Sequence, residues 1–423
     1  MIRKNSDKNN KFKWIYKPLK DLIDLYDSGI WGSNPSDNPV PVLRSNNIQE
    51  FKFIYDEEIA YREIPRNKIE KYRLKFGDII VVKSSGSKSH IGKCAIYEKN
   101  DDSIFLFSNF TLRIRANSQI ILPHFLYYYL ISSKARFDLD KASATSSGLL
   151  NIQPKVYAEQ ILPVPPLVVQ KQIVQILQKA DEIRQKQLKA LIINNSILPA
   201  IFFDTFDNRT AKWPEKPLRD IVFTQSGGTP SRKRDDFWNG DIPWISPTDM
   251  KSIELSDSIE HITEQGLSDS AASLVSPSAI LVVVRSGILE HTFPVAIART
   301  SLTFNQDIKA LIPKPEIIPE FLLWALKAKS PHVLQSVVKR GSTVHSIDSS
   351  RLFDMKIPVP PLTVQKTFVN QVEQLMTTMQ KLESFTIDGE ALFNSLMKQA
   401  FSGELTREWE KVNAKWIKEQ MKS

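Results

Sequence analysis

The sequence predicts an α+β chain made of two copies of one mixed α/β domain, each followed by a long helix. Three observations predict it. First, Pro163-Val-Pro-Pro-Leu-Val-Val-Gln-Lys171 returns as Pro358-Val-Pro-Pro-Leu-Thr-Val-Gln-Lys366, 195 residues later. In both copies the prolines end an extended segment, because proline lacks a backbone N–H and restricts the residue before it. Second, Val169, Ile173, Ile176, Ala180 and Ile183 recur at 4-3-4-3 spacing after the first copy. Phe368, Val372, Leu375, Met379 and Leu382 do much the same after the second. Such spacing puts one apolar stripe on each helix, the pattern of a helix–helix seam. Third, other landmarks recur in the same order, and a period near 200 residues is too long for a solenoid repeat.

The chain begins with a basic tail, 1–13. Residues 1–20 hold seven lysines and arginines against Asp7 alone, which reads as a solvated tail. Short apolar runs follow from Trp14, separated by Gly, Pro, Ser and Asn. Val40–Leu43, Phe51–Tyr55, Ile79–Val82, Cys94–Tyr97 and Phe105–Ile114 read as strands. Pro123 opens a helix over about 124–137. Its Tyr127, Tyr128 and Tyr129 could stack on bases, but aromatics on a short helix are usually core, and that reading is preferred.

The second half repeats this order. Trp14…Lys17-Pro18-Leu19 matches Trp213…Lys216-Pro217-Leu218, and Pro41-Val-Leu matches Pro243-Trp-Ile. Ile79-Ile-Val-Val-Lys-Ser-Ser-Gly86 matches Ile280-Leu-Val-Val-Val-Arg-Ser-Gly287, offset 201. Leu122-Pro123-His-Phe-Leu126 matches Ile318-Pro319-Glu-Phe-Leu322, offset 196. Offsets that drift between collinear blocks are what loop insertions produce. The proline junctions keep offset 195 while Asn195-Ser196 and Asn394-Ser395 are offset 199, so the second long helix is expected to be about four residues longer. After Gly403, the spacing of Trp409, Val412 and Trp416 predicts an amphipathic C-terminal helix over 403–423.

A formal charge of +9 over 423 residues favours a polyanionic partner, most economically nucleic acid. Cys94 is the sole cysteine, which excludes an intramolecular disulfide and a cysteine zinc site. No apolar run reaches the length of a membrane span and no signal-like segment follows Met1, so a soluble cytoplasmic chain is expected.

No catalytic constellation is found. Gly86-Ser87-Lys88-Ser89 looks like the end of a P-loop, but Val81 stands where its first glycine belongs. The six histidines lack ligand spacing, and no Gly-x-Gly-x-x-Gly loop occurs. The Pro-Pro pairs lack the acid or amide of an adenine methyltransferase motif, and Val81 again stands where a metal-dependent nuclease needs its acid. No metal site and no cofactor bound by this chain are expected.

What recurs is polar loop material after apolar strands. The first half offers Arg44, Asn46, Lys83, Ser85, Lys88 and His90; the second offers Thr229, Arg232, Lys233, Arg234, Ser246, Thr248, Arg285 and Ser286. These residue types read base edges or hold phosphates. Any one could be a solvated loop residue; recurrence at matched positions favours DNA contact.

The chain resembles the specificity subunits of type I restriction–modification systems. The resemblance rests on Ile161-Leu-Pro-Val-Pro-Pro-Leu-Val-Val-Gln170 and its second copy, Ser226-Gly-Gly-Thr-Pro-Ser231 through Asp241-Ile-Pro-Trp-Ile-Ser246, Leu198-Pro-Ala-Ile-Phe202 and Phe401-Ser-Gly-Glu-Leu405. Ser28-Gly-Ile-Trp-Gly32 departs from its counterpart Ser226-Gly-Gly-Thr-Pro230, as two modules reading different sequences would. The resemblance implies target-recognition domains at 14–166 and 207–361, each reading half of a bipartite double-stranded DNA target. It implies spacer helices at 167–206 and 362–402, packed as an antiparallel coiled coil that docks two modification (methyltransferase) subunits. S-adenosylmethionine, ATP and Mg would then be bound by the modification and restriction/translocase subunits. The rivals are a single-chain DNA methyltransferase or nuclease with an unfamiliar site, and a coiled-coil scaffold.

Overall fold

The computed structural model describes residues 14–35, 38–55, 58–136, 143–146, 149–206, 213–341 and 344–422. The basic tail, 1–13, lies outside them. The chain divides into two compact units: one runs to Lys186 and resumes at Thr386, the other is Gln187–Phe385. Each long helix therefore contributes one half to each unit.

The main sheet of the first unit has the order Ile23–Ser28, Thr111–Ala116, Ile79–Val82, Cys94–Ile96, with every pair antiparallel. The second unit repeats it as Val222–Ser226, Ile308–Pro313, Ile280–Val283, Val295–Ala298 and adds Glu254–Leu255, parallel to the last. Ile79–Val82 is an unbroken apolar run because both its faces are covered: Ile79 and Val81 face one core cluster, Ile80 and Val82 another. Three smaller sheets recur in each unit. One joins the strand after the opening tryptophan to the strand before the proline junction: Ile15–Pro18 with Ile161–Val164, and Glu215–Pro217 with Lys356–Pro358. The duplication thus extends to strand order and register.

The expected strand Phe105–Ile114 is two strands, Leu106–Phe107 and Thr111–Ala116. Between them the Ser108 hydroxyl accepts the Phe110 N–H at 3.0 Å and the Thr111 hydroxyl donates to the Ser108 carbonyl at 2.7 Å, fixing a turn. The tyrosines of the helix Pro123–Ile131 are core: all three are buried, and Tyr127 and Tyr129 donate to the Phe51 and Ile161 carbonyls.

The long helices are Leu167–Phe206 and Leu362–Ser402, of 40 and 41 residues. The expected four-residue difference in total length is not present. The first helix recovers it at its far end, running on through Pro199 to Phe206. A proline inside a helix costs about 3 kcal/mol. Beyond it, Phe202 and Phe206 are buried against Phe321 and Phe368, with ring centroids 5.0–6.4 Å apart. Two buried phenylalanines stabilise by roughly 3–6 kcal/mol, enough to offset the proline.

In the first unit the near half of one long helix and the far half of the other share a core that includes Ile173, Leu177, Phe393, Met397 and Phe401. The second unit has the reciprocal arrangement, with Phe202 and Phe206 against Phe368 and Val372. Ile176 and Ala180 are half-buried, as are Leu375, Met379 and Leu382. Ile183 corrects the expected stripe: it is 59% exposed, and Asp181 and Arg184 are buried instead. The buried positions Gln170, Ile173, Leu177, Asp181 and Arg184 drift at an 11-residue repeat, the period of a nearly straight helix rather than a strict heptad.

The C-terminal segment is also corrected. It forms two short helices, Arg407–Val412 and Ala414–Gln420, with a break at Asn413 that resets the phase. Val412 is 84% exposed and Trp416 half exposed, while Ala414 and Ile417 are buried in the first unit's core.

Candidate nucleic-acid interface

Each main sheet carries its polar loops where its strands leave the core. In the first unit, Ile23–Ser28 ends in Ser28-Gly29. A Cβ on Gly29 would lie 2.0 Å from the Phe107 carbonyl oxygen, so only glycine lets the chain pass there. The second unit repeats the close approach: a Cβ on Gly227 would lie 2.2 Å from the Phe304 carbonyl oxygen. Lys83, leaving Ile79–Val82, donates to the Ser28 hydroxyl at 2.9 Å. Burial lowers the pKa of this half-buried ammonium below the ordinary lysine value.

Ser85, next along, accepts the Ser87 N–H at 3.1 Å, so its hydroxyl shapes its own loop. Lys88 and His90 are exposed on that loop. Arg44 is differently engaged: its guanidinium donates to the Glu58 carbonyl at 2.8 Å, while Asn46 beside it is exposed.

In the second unit Thr229 donates to Gln306 at 2.6 Å. Arg232 lies 3.7 Å from the Trp238 ring centroid and pairs with both oxygens of Glu260. That pairing raises its pKa and lowers that of Glu260. Together with Asp235 and His261 these residues line an open cleft of about 400 Å³. Arg234 turns back onto Asp236 at 2.6 Å, whereas Lys233 is exposed. Ser246 donates to Asp249 at 2.7 Å and lies 2.6 Å from the Thr248 hydroxyl, an arrangement that caps the local turn. Ser286 likewise accepts the Ile288 N–H at 3.3 Å. Arg285 is exposed, and among the described residues its guanidinium has no hydrogen-bond or ion-pair partner.

The candidates therefore sort by engagement. Arg285 and Lys233 reach solvent; Lys88 is exposed, as is Asn46, whose amide oxygen accepts from the Ser45 hydroxyl at 3.5 Å; Arg232, Arg234 and Arg44 are held by neighbours; Ser85, Ser246, Thr248 and Ser286 shape loops. Sequence reasoning missed Trp238 and Glu260, which pin Arg232, and Lys309, which donates to Ser226 at 3.1 Å. The signal for Lys309 was a cation within an otherwise apolar strand. Among the described residues no three His, Cys, Asp or Glu side chains gather as a metal site would require.

A family model for the type I restriction modification DNA specificity domain matches residues 11–194 and again 210–388. The chain belongs to this family. The EcoR124I/EcoR124II specificity subunit of Escherichia coli is 32% identical over 237 residues, 52% of this chain and 57% of that one. The EcoKI specificity subunit of Escherichia coli K12 is 23% identical over 95% of this chain and 91% of its own. The fold is shared with a solved chain of a type I restriction–modification system (TM-score 0.59, 16% identity, 93% of this chain and all of that one). It is shared also with the S subunit from M. genitalium (TM-score 0.51, 14% identity, 95% and 98% covered). This chain thus spans just over half the length of its EcoR124I/EcoR124II relative, and two family domains account for most of its own.

Proposed function

We propose that this chain is the non-catalytic DNA-recognition subunit of a type I restriction–modification complex, acting in the cytoplasm. Each unit reads one half of a bipartite double-stranded target. The observation that carries this reading is the duplication with divergence: two sheets of the same order and register bear different polar loops. A common scaffold with different side chains at the reading edge is what two different half-sites require.

The long helices act as an antiparallel coiled-coil spacer and docking surface for two modification subunits, which carry S-adenosylmethionine. Restriction/translocase subunits, using ATP and Mg, complete the assembly. In this reading methyl transfer and cleavage belong to those partners. The test is methylome mapping of a host expressing the chain with modification subunits. The expected result is one interrupted target, methylated in both halves and absent without this chain. Methyl transfer by the purified chain alone would overturn the assignment.

A further inference from the structure

Within each unit, one ammonium stands beside the serine that ends the first strand of the main sheet, yet different positions supply it. In the first unit Lys83 donates to Ser28 at 2.9 Å; in the second, Lys309 donates to Ser226 at 3.1 Å. Strand register establishes the correspondence. Leu112 pairs with Ser28 and Ile114 with Ile79; Lys309 pairs with Ser226 and Leu311 with Ile280. Lys309 therefore occupies the place of Leu112, and Val284, following Ile280–Val283, occupies the place of Lys83. Each pair of positions holds one lysine and one apolar residue, in opposite order. Leu112 is buried, and Val284 packs against the second unit's core. A solvated surface lysine would have no reason to reappear, from another strand, beside the equivalent hydroxyl.

We infer that Lys83 and Lys309 are functional counterparts, each forming with its serine a grip for one backbone phosphate of the DNA half-site read by its unit. The chemistry fits an anion. By donating one N–H to the serine oxygen, the lysine leaves two ammonium protons, and the serine O–H, free to point outward. Three donors around one point suit a phosphate, whose oxygens only accept; among base edges, guanine alone offers two adjacent acceptors, O6 and N7. A grip repeated at equivalent serines of two units with different half-sites fits the phosphate that every sequence shares. The preceding close approach at Gly29 and Gly227 fixes the serine backbone, so the grip is placed before DNA arrives. The inference rests on the reading of the two units as DNA-recognition domains.

The experiment uses the chain assembled with its modification subunits and a duplex bearing the mapped target, titrated over a series of salt concentrations. Lys83→Met and Lys309→Met are each expected to lower the slope of log affinity against log salt by about 0.9, and affinity at ~0.15 M salt about five-fold. The methylated sequence stays unchanged. Lys309→Leu combined with Val284→Lys, which transplants the first unit's arrangement, restores slope and affinity; thermal melts verify that each variant is folded. Unchanged slopes in both single variants, with wild type binding normally, overturn the phosphate grip alone. Loss of one specified base pair at unchanged slope also overturns it, in favour of base reading. A wild-type assembly that does not select its duplex overturns the recognition-domain reading itself.

Discussion

The side-chain oxygen of Gln365 accepts the backbone N–H of Ile318 at 2.9 Å, as Gln170 accepts that of Leu122 at 2.8 Å. Each amide also donates twice to carbonyls: Gln365 to Glu316 and Pro360, Gln170 to Ile120 and Pro165. Both glutamines are fully buried. The repeated Pro-Pro-Leu-x-x-Gln segment is therefore a latch. It ties the start of a long helix to the loop that opens the short buried helix of the same unit. Gln170→Ala and Gln365→Ala each strand three backbone groups, and each unsatisfied group costs about 1–3 kcal/mol. Urea unfolding should show a loss of at least about 2 kcal/mol for either variant. A change below about 0.5 kcal/mol would mean that water replaces the latch.

The buried pair on the first long helix gives a second expectation. Arg184 pairs with Asp181 at 2.8 Å and with Glu390 at 3.1 Å, and lies 4.9 Å from the Phe393 ring centroid. Asp181 also meets Lys52 at 3.1 Å. Removing Arg184 leaves a buried carboxylate half-compensated, so Arg184→Ala should destabilise by about 3 kcal/mol. Glu390 is half exposed, and Glu390→Ala should cost less than about 1 kcal/mol. Equal losses in chemical denaturation would show that Asp181 is not what demands the arginine.

These two networks mark what the sequence could disclose. The duplication, the long helices and the strand Ile79–Val82 were legible because apolar periodicity and proline placement are local signals. The glutamine was visible as part of a motif, but its role depends on carbonyls up to 50 residues away. Ile183 was misplaced because a heptad template drifts against a straight helix, and nothing local announces that an ion pair takes the buried place. The site was legible as loops and not as contacts. Arg44 and Arg285 look alike in sequence, and only tertiary structure shows Arg44 engaged and Arg285, among the described residues, without a side-chain partner.

That distinction predicts different phenotypes. Among the described residues the exposed Arg285 guanidinium has no partner, whereas Arg232 is clamped between Glu260 and Trp238. Arg285→Ala should relax one position of the second unit's half-site, a loss of about 1–3 kcal/mol in discrimination, and leave the first half-site intact. Arg232→Ala should instead loosen its loop and weaken binding without relaxing a particular base. Methylome sequencing of both variants separates the two outcomes. Relaxation at a base by Arg232→Ala alone would reverse the assignment.

Lys83 links stability to pH. Burial holds its folded-state pKa below the unfolded value, so protonation favours the unfolded chain. The destabilisation is absent well above pH 10.5, the ordinary lysine value, and is fully present once pH has fallen below the folded pKa. Lys83→Met should therefore be more stable than wild type at neutral pH, with the gap closing as pH rises past about 10. Greater stability at the expense of DNA affinity is the trade expected of a functional residue. Thermal unfolding across that range would refute it if the gap did not narrow.

Both boundaries between the two units fall within the long helices, near Lys186–Gln187 and Phe385–Thr386. If the helices form the spacer, their length there sets the separation and rotation of the two reading surfaces. Four residues add roughly 6 Å of rise and a little more than a full turn, so an apolar stripe stays nearly in phase. Successive base pairs are about 3.4 Å apart, so one helical turn corresponds to one or two of them. Inserting four residues near Gln185–Leu188 should therefore change the spacer of the methylated target by one or two base pairs. A matching insertion near Phe385–Asp388 keeps contacts such as Arg184–Glu390 and Phe202–Phe368 in register. The half-site sequences should not change, because the polar loops lie on the sheets. An altered half-site with an unaltered spacer would show that the helices do not measure the distance, and that the insertion acts through the units' own folding.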